Sequence, residues 1–177
     1  MTTETARTSS EGFSREHRRF LVVDEIVGPA IVNFWLNAGI AWYLFRRLPT
    51  VALWGSPGIA ADTLGTAFVL PVLTAIIAAW LIPLRVRRRS LLPIPAANLR
   101  ATAWTRRSWI MRGVLLGLVA VVVVGLPVVG AFALLGVPSL PRPTFVWFKA
   151  SFAAGVGILV TPPLGWWALM DASRAAR

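Results

Sequence analysis

Residues 113–136 read GVLLGLVAVVVVGLPVVGAFALLG, without one charged or hydrogen-bonding side chain. A helix needs about 20 apolar residues to cross a bilayer, at 1.5 Å rise per residue, and this stretch is longer. A helix lying against water shows a polar face, and none can be drawn here. Three more apolar stretches flank it, giving expected spans at about 21–45, 63–84, 112–136 and 147–170. The sequence therefore predicts an all-α fold, an integral membrane four-helix bundle occupying residues 20–171.

Composition agrees with this solvent. Apolar residues make up 56% of the 177-residue chain and charged ones 14%, whereas soluble domains carry about 25% charged residues. Mean hydropathy is +0.69. There is no cysteine, and the single histidine, His17, lies in a polar tail, so disulfide, thiol, haem and histidine-ligated metal chemistry have no residues to use. No phosphate-binding glycine pattern or acidic pair at ligand spacing is present. Asp24 and Glu25 are adjacent, so on a helix they diverge by about 100° and make a poor acid–base pair. The expectation is a non-enzymatic protein without cofactor or metal.

The net charge of +11 is distributed as a membrane topology rather than as a nucleic-acid surface. Arg15, Arg18 and Arg19 precede the first span. Arg85, Arg87, Arg88, Arg89, Arg100, Arg106 and Arg107 separate the second from the third, with Arg112 opening the third. Arg174 and Arg177 follow the fourth, while the two remaining loops hold only Arg46, Arg47, Arg142 and Lys149. Basic loops stay in the cytoplasm, which predicts an N-in/C-in orientation. It gives a basic tail at 1–19, disordered over 1–14, a basic linker at 85–111 and a short tail at 172–177, all cytoplasmic. The tail arginines are expected to meet anionic lipid headgroups, and the second half of the linker to lie on the membrane as a helix anchored by Trp104 and Trp109. Span one is too long for a signal sequence and lacks a small-residue cleavage site, so it reads as an anchor. The outer loop around Trp54 reads as surface-lying. Abundant arginine, alanine and proline with a single lysine point to a GC-rich bacterial genome and hence the inner membrane.

An offset of 87 residues superimposes Glu25 on Arg112, Asp62 on Lys149, Thr74 on Thr161 and Trp80 on Trp167, with spans and loops of matching length. Two parallel helical-hairpin repeats, of the kind transporters contain, and chance both account for so few identities.

Polar residues inside the spans are the candidate functional residues, because charge in hydrocarbon is costly. Glu25, Asn33 and Asn37 recur at multiples of four and share one helix face, with Pro29 between them. The face can line a ligand or ion path, or the two asparagines can bond across helices. Glu25 can bind a cation or pair with Arg112, which begins a neighbouring span at the same depth. Asp62 pairs with Lys149 at the outer boundary by the same reasoning. Pro29, Pro71, Pro127 and Pro162-Pro163 are expected to break their helices. Gly113/Gly117 and Ala153/Gly157 are small-xxx-small pairs that permit close helix approach.

The order Glu25 then Asn33, Val51-Ala-Leu-Trp-Gly55, Arg85–Arg89, Phe148-Lys149 and Thr161-Pro162 resembles small bacterial four-span inner-membrane proteins of unassigned function, over most of residues 20–165. The resemblance implies no activity. Two functions fit the sequence. One is a non-enzymatic membrane subunit or small oligomeric transporter or channel with the polar face of span one inside. The other is an accessory or assembly subunit that packs on a larger membrane complex through the bare face of span three. Partners are then the lipid bilayer and further copies or subunits, not nucleic acid.

Overall fold

The structure, a computed structural model, describes residues 27–88, 91 and 107–175. The tail at 1–19, Glu25, Trp104 and most of the linker lie outside the described residues. Helix α1 covers Gly28–Leu44, α2 Ile59–Arg87, α3 Trp109–Leu134 and α4 Arg142–Ala175. The last three are long and apolar enough to cross a membrane. Many large apolar side chains point outward, among them Trp35, Leu36, Leu73, Ile77, Val122, Val123 and Leu159. Water would not tolerate so much exposed apolar surface on a monomer, whereas lipid tails solvate it.

The helices outrun the expected spans. α2 begins before 63 and passes 84, and α4 begins before 147 and passes 170, so 85–87 and 172–175 belong to helices rather than to linker and tail. Basic ends such as Arg85, Arg87 and Arg174 carry helix beyond the hydrocarbon, because long cationic side chains reach the interface.

The prolines correct another expectation. α2 runs unbroken through Pro71 and Pro83, and α4 through Pro162 and Pro163. Each proline deletes one backbone bond and leaves the rest of the ladder intact, which neighbouring helices tolerate. Pro29 and Pro127 each stand two residues after π-wound backbone, at Val27 and Gly125. α3 is α-helical over Trp109–Ala120, widens to a π-helix over Val121–Gly125 and resumes at Leu126. The ring at Pro127 crowds the preceding turn, and the wider winding relieves it.

α4 is the shared wall of the bundle. α1 packs along it on one side and α2 on another, while α3 packs on α2. Leu70 and Ala75 of α2 meet Ala153, Val156, Val160 and Leu164 of α4, with Leu116 and Val124 of α3 packed on the same cluster. The pair Gly113/Gly117 serves α3 against α2. A Cβ on Gly117 would stand 2.7 Å from the backbone oxygen of Phe68, and one on Gly113 2.8 Å from the Ala75 Cβ.

The expected surface loop around Trp54 contains a strand. β1 (Thr50–Ala52) pairs antiparallel with β2 (Ser139–Pro141), with Val51 opposite Leu140. The ribbon ties the α1–α2 connection to the α3–α4 connection and caps one end of the bundle. Under it Phe45 and Phe145 lie 4.7 Å apart and Phe132 and Phe148 5.0 Å apart. α3 enters the ribbon through a left-handed Gly136 (φ 65°), whose N–H donates to Ala133 O, while Val137 N–H donates to Phe132 O. This double bond pattern satisfies the last carbonyls of the helix.

Because Gly117 abuts backbone, Gly117→Ala should cost about 1–3 kcal/mol and lower the thermal midpoint in detergent, followed by tryptophan fluorescence. Gly130→Ala meets nothing within 4 Å and should leave the midpoint unchanged or raise it.

Candidate functional site

α1 and α2 both rest on α4 and leave a slot between them. One compartment, about 550 Å³, lies toward the Arg85 end among Val32, Asn33, Thr74, Ile77, Arg85 and Thr161. A second, about 460 Å³, lies toward the ribbon end among Leu36, Asn37, Asp62, Thr66, Thr74 and Lys149. Asn33, Thr74 and Ile77 line both, so the two adjoin. From Asp62 to Arg85 the helix that borders them rises about 35 Å, a little more than the roughly 30 Å hydrocarbon thickness.

The slot has apolar rims and a more polar floor. Val32, Leu36, Ile40, Val69, Leu73 and Ile77 are exposed along its edges. Asn37 is buried, and its Nδ2 donates to Asn33 O at 2.9 Å, an i to i−4 bond that satisfies one of its donors. The Asn33 amide sits in the notch left by Gly157 on α4, where a Cβ would stand 2.5 Å from Nδ2. Asn33 thus packs against α4 at Gly157 and lines the slot, while the Asn37 bond stays within α1. Thr74 donates to Leu70 O at 2.8 Å. The Thr161 hydroxyl is buried without a hydrogen-bond partner, as is that of Thr63. Such orphans are few in native proteins and each calls for a cause.

The ribbon end is closed by an ion pair. Lys149 Nζ donates to Asp62 Oδ1, with the lysine 5% exposed. The opposite end of the bundle holds a second pair where α3 meets α4, Arg112 to Asp171 at 2.7 Å, with Arg174 3.4 Å from the same carboxylate. A small cavity of about 110 Å³ adjoins it. Arg112 is only 4% exposed. Sequence reasoning offered Glu25 as the Arg112 partner; Glu25 lies outside the described residues, and Asp171 was missed. The signal was available in the distribution of acids. Five of the seven lie at or before position 25, and the other two, Asp62 and Asp171, both sit in apolar helices that demand a countercharge.

Among the described residues no three His, Cys, Asp or Glu side chains come together to hold a metal. No protein-family model, curated protein or solved structure matches the chain.

A buried ion pair costs little when removed whole and much when halved. Lys149→Met should therefore destabilise the protein by about 3–5 kcal/mol in denaturant unfolding from detergent micelles. Lys149→Met combined with Asp62→Leu should recover most of that loss.

Proposed function

We propose that the chain is a non-enzymatic four-span protein of the bacterial inner membrane that acts as a small transporter or transport subunit through the α1–α2 slot. The observation that carries this reading is the slot's extent, from Arg85 to the Asp62–Lys149 pair, past Asn33, Thr74 and Thr161. Polar groups along a full crossing lower the cost of moving charge through hydrocarbon. A static bundle gains nothing from leaving them beside an open slot.

The fourth crossing is α1, whose 17 residues are at the lower end of the length a spanning helix needs. The ribbon faces outward and the residues flanking α1 on its N-terminal side, the linker and the end of α4 face the cytoplasm. The charge distribution supports this orientation. Arg46 and Arg142, which run against it, are engaged locally. Arg142 donates to Arg46 O at 2.8 Å and lies 4.4 Å from the Trp42 ring centroid, while Arg46 lies 4.5 Å from that of Tyr43. Arginines held at an interfacial aromatic belt weigh less as topology signals.

Two related hairpins account for the architecture. α1 packs on α4 as α3 packs on α2, and α2 packs on α4, which is the pattern a two-fold exchange of hairpins produces. Two contacts support the 87-residue offset directly. Asp62 meets Lys149, and Ala52 pairs with Ser139; both pairs are separated by that offset, so both fall on the exchange axis. Four spans enclose little space, so further copies or lipid complete the slot's open side.

A second reading rests on α3, whose outward face exposes Leu118, Val119, Val122, Val123 and Leu126 and suits a partner subunit. Two experiments decide. Single cysteines at Leu135 and Arg88, in a chain without native cysteine, should label oppositely in intact cells with an impermeant maleimide, Leu135→Cys reacting and Arg88→Cys not. Proteoliposomes loaded with a pH-sensitive dye should equilibrate an acid pulse faster than empty vesicles, and Asn33→Leu should slow that about tenfold, the effect of losing one hydrogen bond. Unchanged flux, with a larger complex lost on mutating Val122 and Val123 to Lys, would favour the subunit reading.

A further inference from the structure

Three arginines at the ribbon end of the bundle have no countercharge. Arg46 and Arg47 follow α1, and Arg142 opens α4. The two acids among the described residues are both taken, Asp62 by Lys149 and Asp171 by Arg112 and Arg174. Arg142 gives one N–H to Arg46 O and rests on the Trp42 ring, and Arg46 rests on the Tyr43 ring. These contacts place the side chains without neutralising them. A guanidinium has five N–H donors, so most remain for an anion. Arg46 and Arg47 are exposed.

Beside these arginines α1 carries an aromatic trough. A Cβ on Gly39 would meet nothing within 4 Å. On one flank of Gly39 a hollow of about 370 Å³ lies among Trp35, Trp42, Val146 and Trp147, shared between α1 and α4. On the other flank a hollow of about 450 Å³ lies among Trp35, Leu36, Ile40 and Tyr43. Gly39 and Trp35 line both. Trp35, Trp42, Tyr43 and Trp147 are all exposed. The ring under Arg142 walls the first hollow and the ring under Arg46 walls the second. From Trp35 to Leu44 the helix rises about 14 Å, nearly half of the hydrocarbon thickness. Trp42 and Tyr43 therefore stand at the belt where such residues gather, and Trp35 stands at the depth of acyl chains.

We propose that this end of α1 binds an anionic phospholipid, its phosphate among Arg46, Arg47 and Arg142 and its two acyl chains in the hollows on either side of Gly39. Cations at a membrane surface attract anionic headgroups, each adding about fivefold in affinity, and the guanidinium fork matches phosphate oxygens. A soluble anion would use the arginines and leave the trough empty. A ligand with a charged head and apolar tails uses both. A chain in the first hollow bridges α1 and α4. The same ligand accounts for arginines at the end of the bundle where the charge distribution calls for few. The site is separate from the α1–α2 slot and does not depend on transport through it.

The test is a lipid titration of the full-length protein, delipidated in a neutral detergent, with bound lipid counted by native mass spectrometry. Phosphatidylglycerol should bind at least about tenfold more tightly than phosphatidylcholine. Arg47→Gln should remove about fivefold of that preference, and Arg46→Gln, Arg47→Gln and Arg142→Gln together should abolish it. Gly39→Leu, which grows into open space, should lose both lipids without lowering the thermal midpoint. Arg88→Gln, exposed at the opposite end of α2, should change nothing. Equal binding of the two lipids would overturn the proposal, as would a preference that survives in the triple variant. Displacement of the lipid by equimolar glycerol 3-phosphate would make the ligand a soluble phosphate and overturn it too. Disulfide joining of Gly39→Cys copies in native membranes would put a second copy on this face, with the same consequence.

Discussion

A lysine and an aspartate inside an apolar bundle can be left neither unpaired nor apart, and the pairing of Lys149 with Asp62 sets the geometry around it. It ties α2 to α4 close to the β-ribbon, about two turns into α4. Farther along α4, the Asn33 amide fills the notch at Gly157 and holds α1. With both neighbours fixed to α4 by polar or close contacts, α1 and α2 cannot close on each other. The slot follows from these two attachments. The Arg112–Asp171 pair does the corresponding work where α3 meets α4, and there the remaining cavity is small.

The bilayer explains why polar residues gather where they do. Every backbone group must be satisfied inside the helix, so polarity can enter only through side chains. Here those side chains are used sparingly. Thr74 and Ser173 return their hydroxyls to the preceding turn, and Asn37 does the same with its amide. Asn33, Arg85 and Thr161 also line the slot, as does Lys149 in its pair with Asp62. Close packing elsewhere is left to glycine and alanine, as at Gly117 against Phe68, because lipid supplies no hydrophobic force to press helices together.

The helices were legible in the sequence because the membrane leaves a long apolar segment few other forms. Their ends were not, since arginine extends a helix past the hydrocarbon without changing its apolar length. The ribbon escaped notice for a different reason. Three-residue strands bordered by Pro49, Pro57 and Pro138 show no alternation, and only the meeting of two distant loops makes them strands. The prolines misled because the sequence records a missing donor but not the packing that tolerates it. Among them Pro29 and Pro127 stand two residues after π-wound backbone, whereas α2 and α4 keep their winding through theirs. Asn33 was legible as polar and in-span; that it faces Gly157 while lining a slot depended on the angle between helices, which no local pattern encodes.

A polar path across the membrane between α1 and α2 makes the slot floor accessible to water in lipid, and that accessibility can be measured. Single cysteines placed at Asn33, Thr74 and Val123 in proteoliposomes can be exposed to a small charged thiol reagent. The account predicts modification at positions 33 and 74 and none at 123. A floor that stays unreactive at both positions, as inert as the outward face of α3, would contradict it.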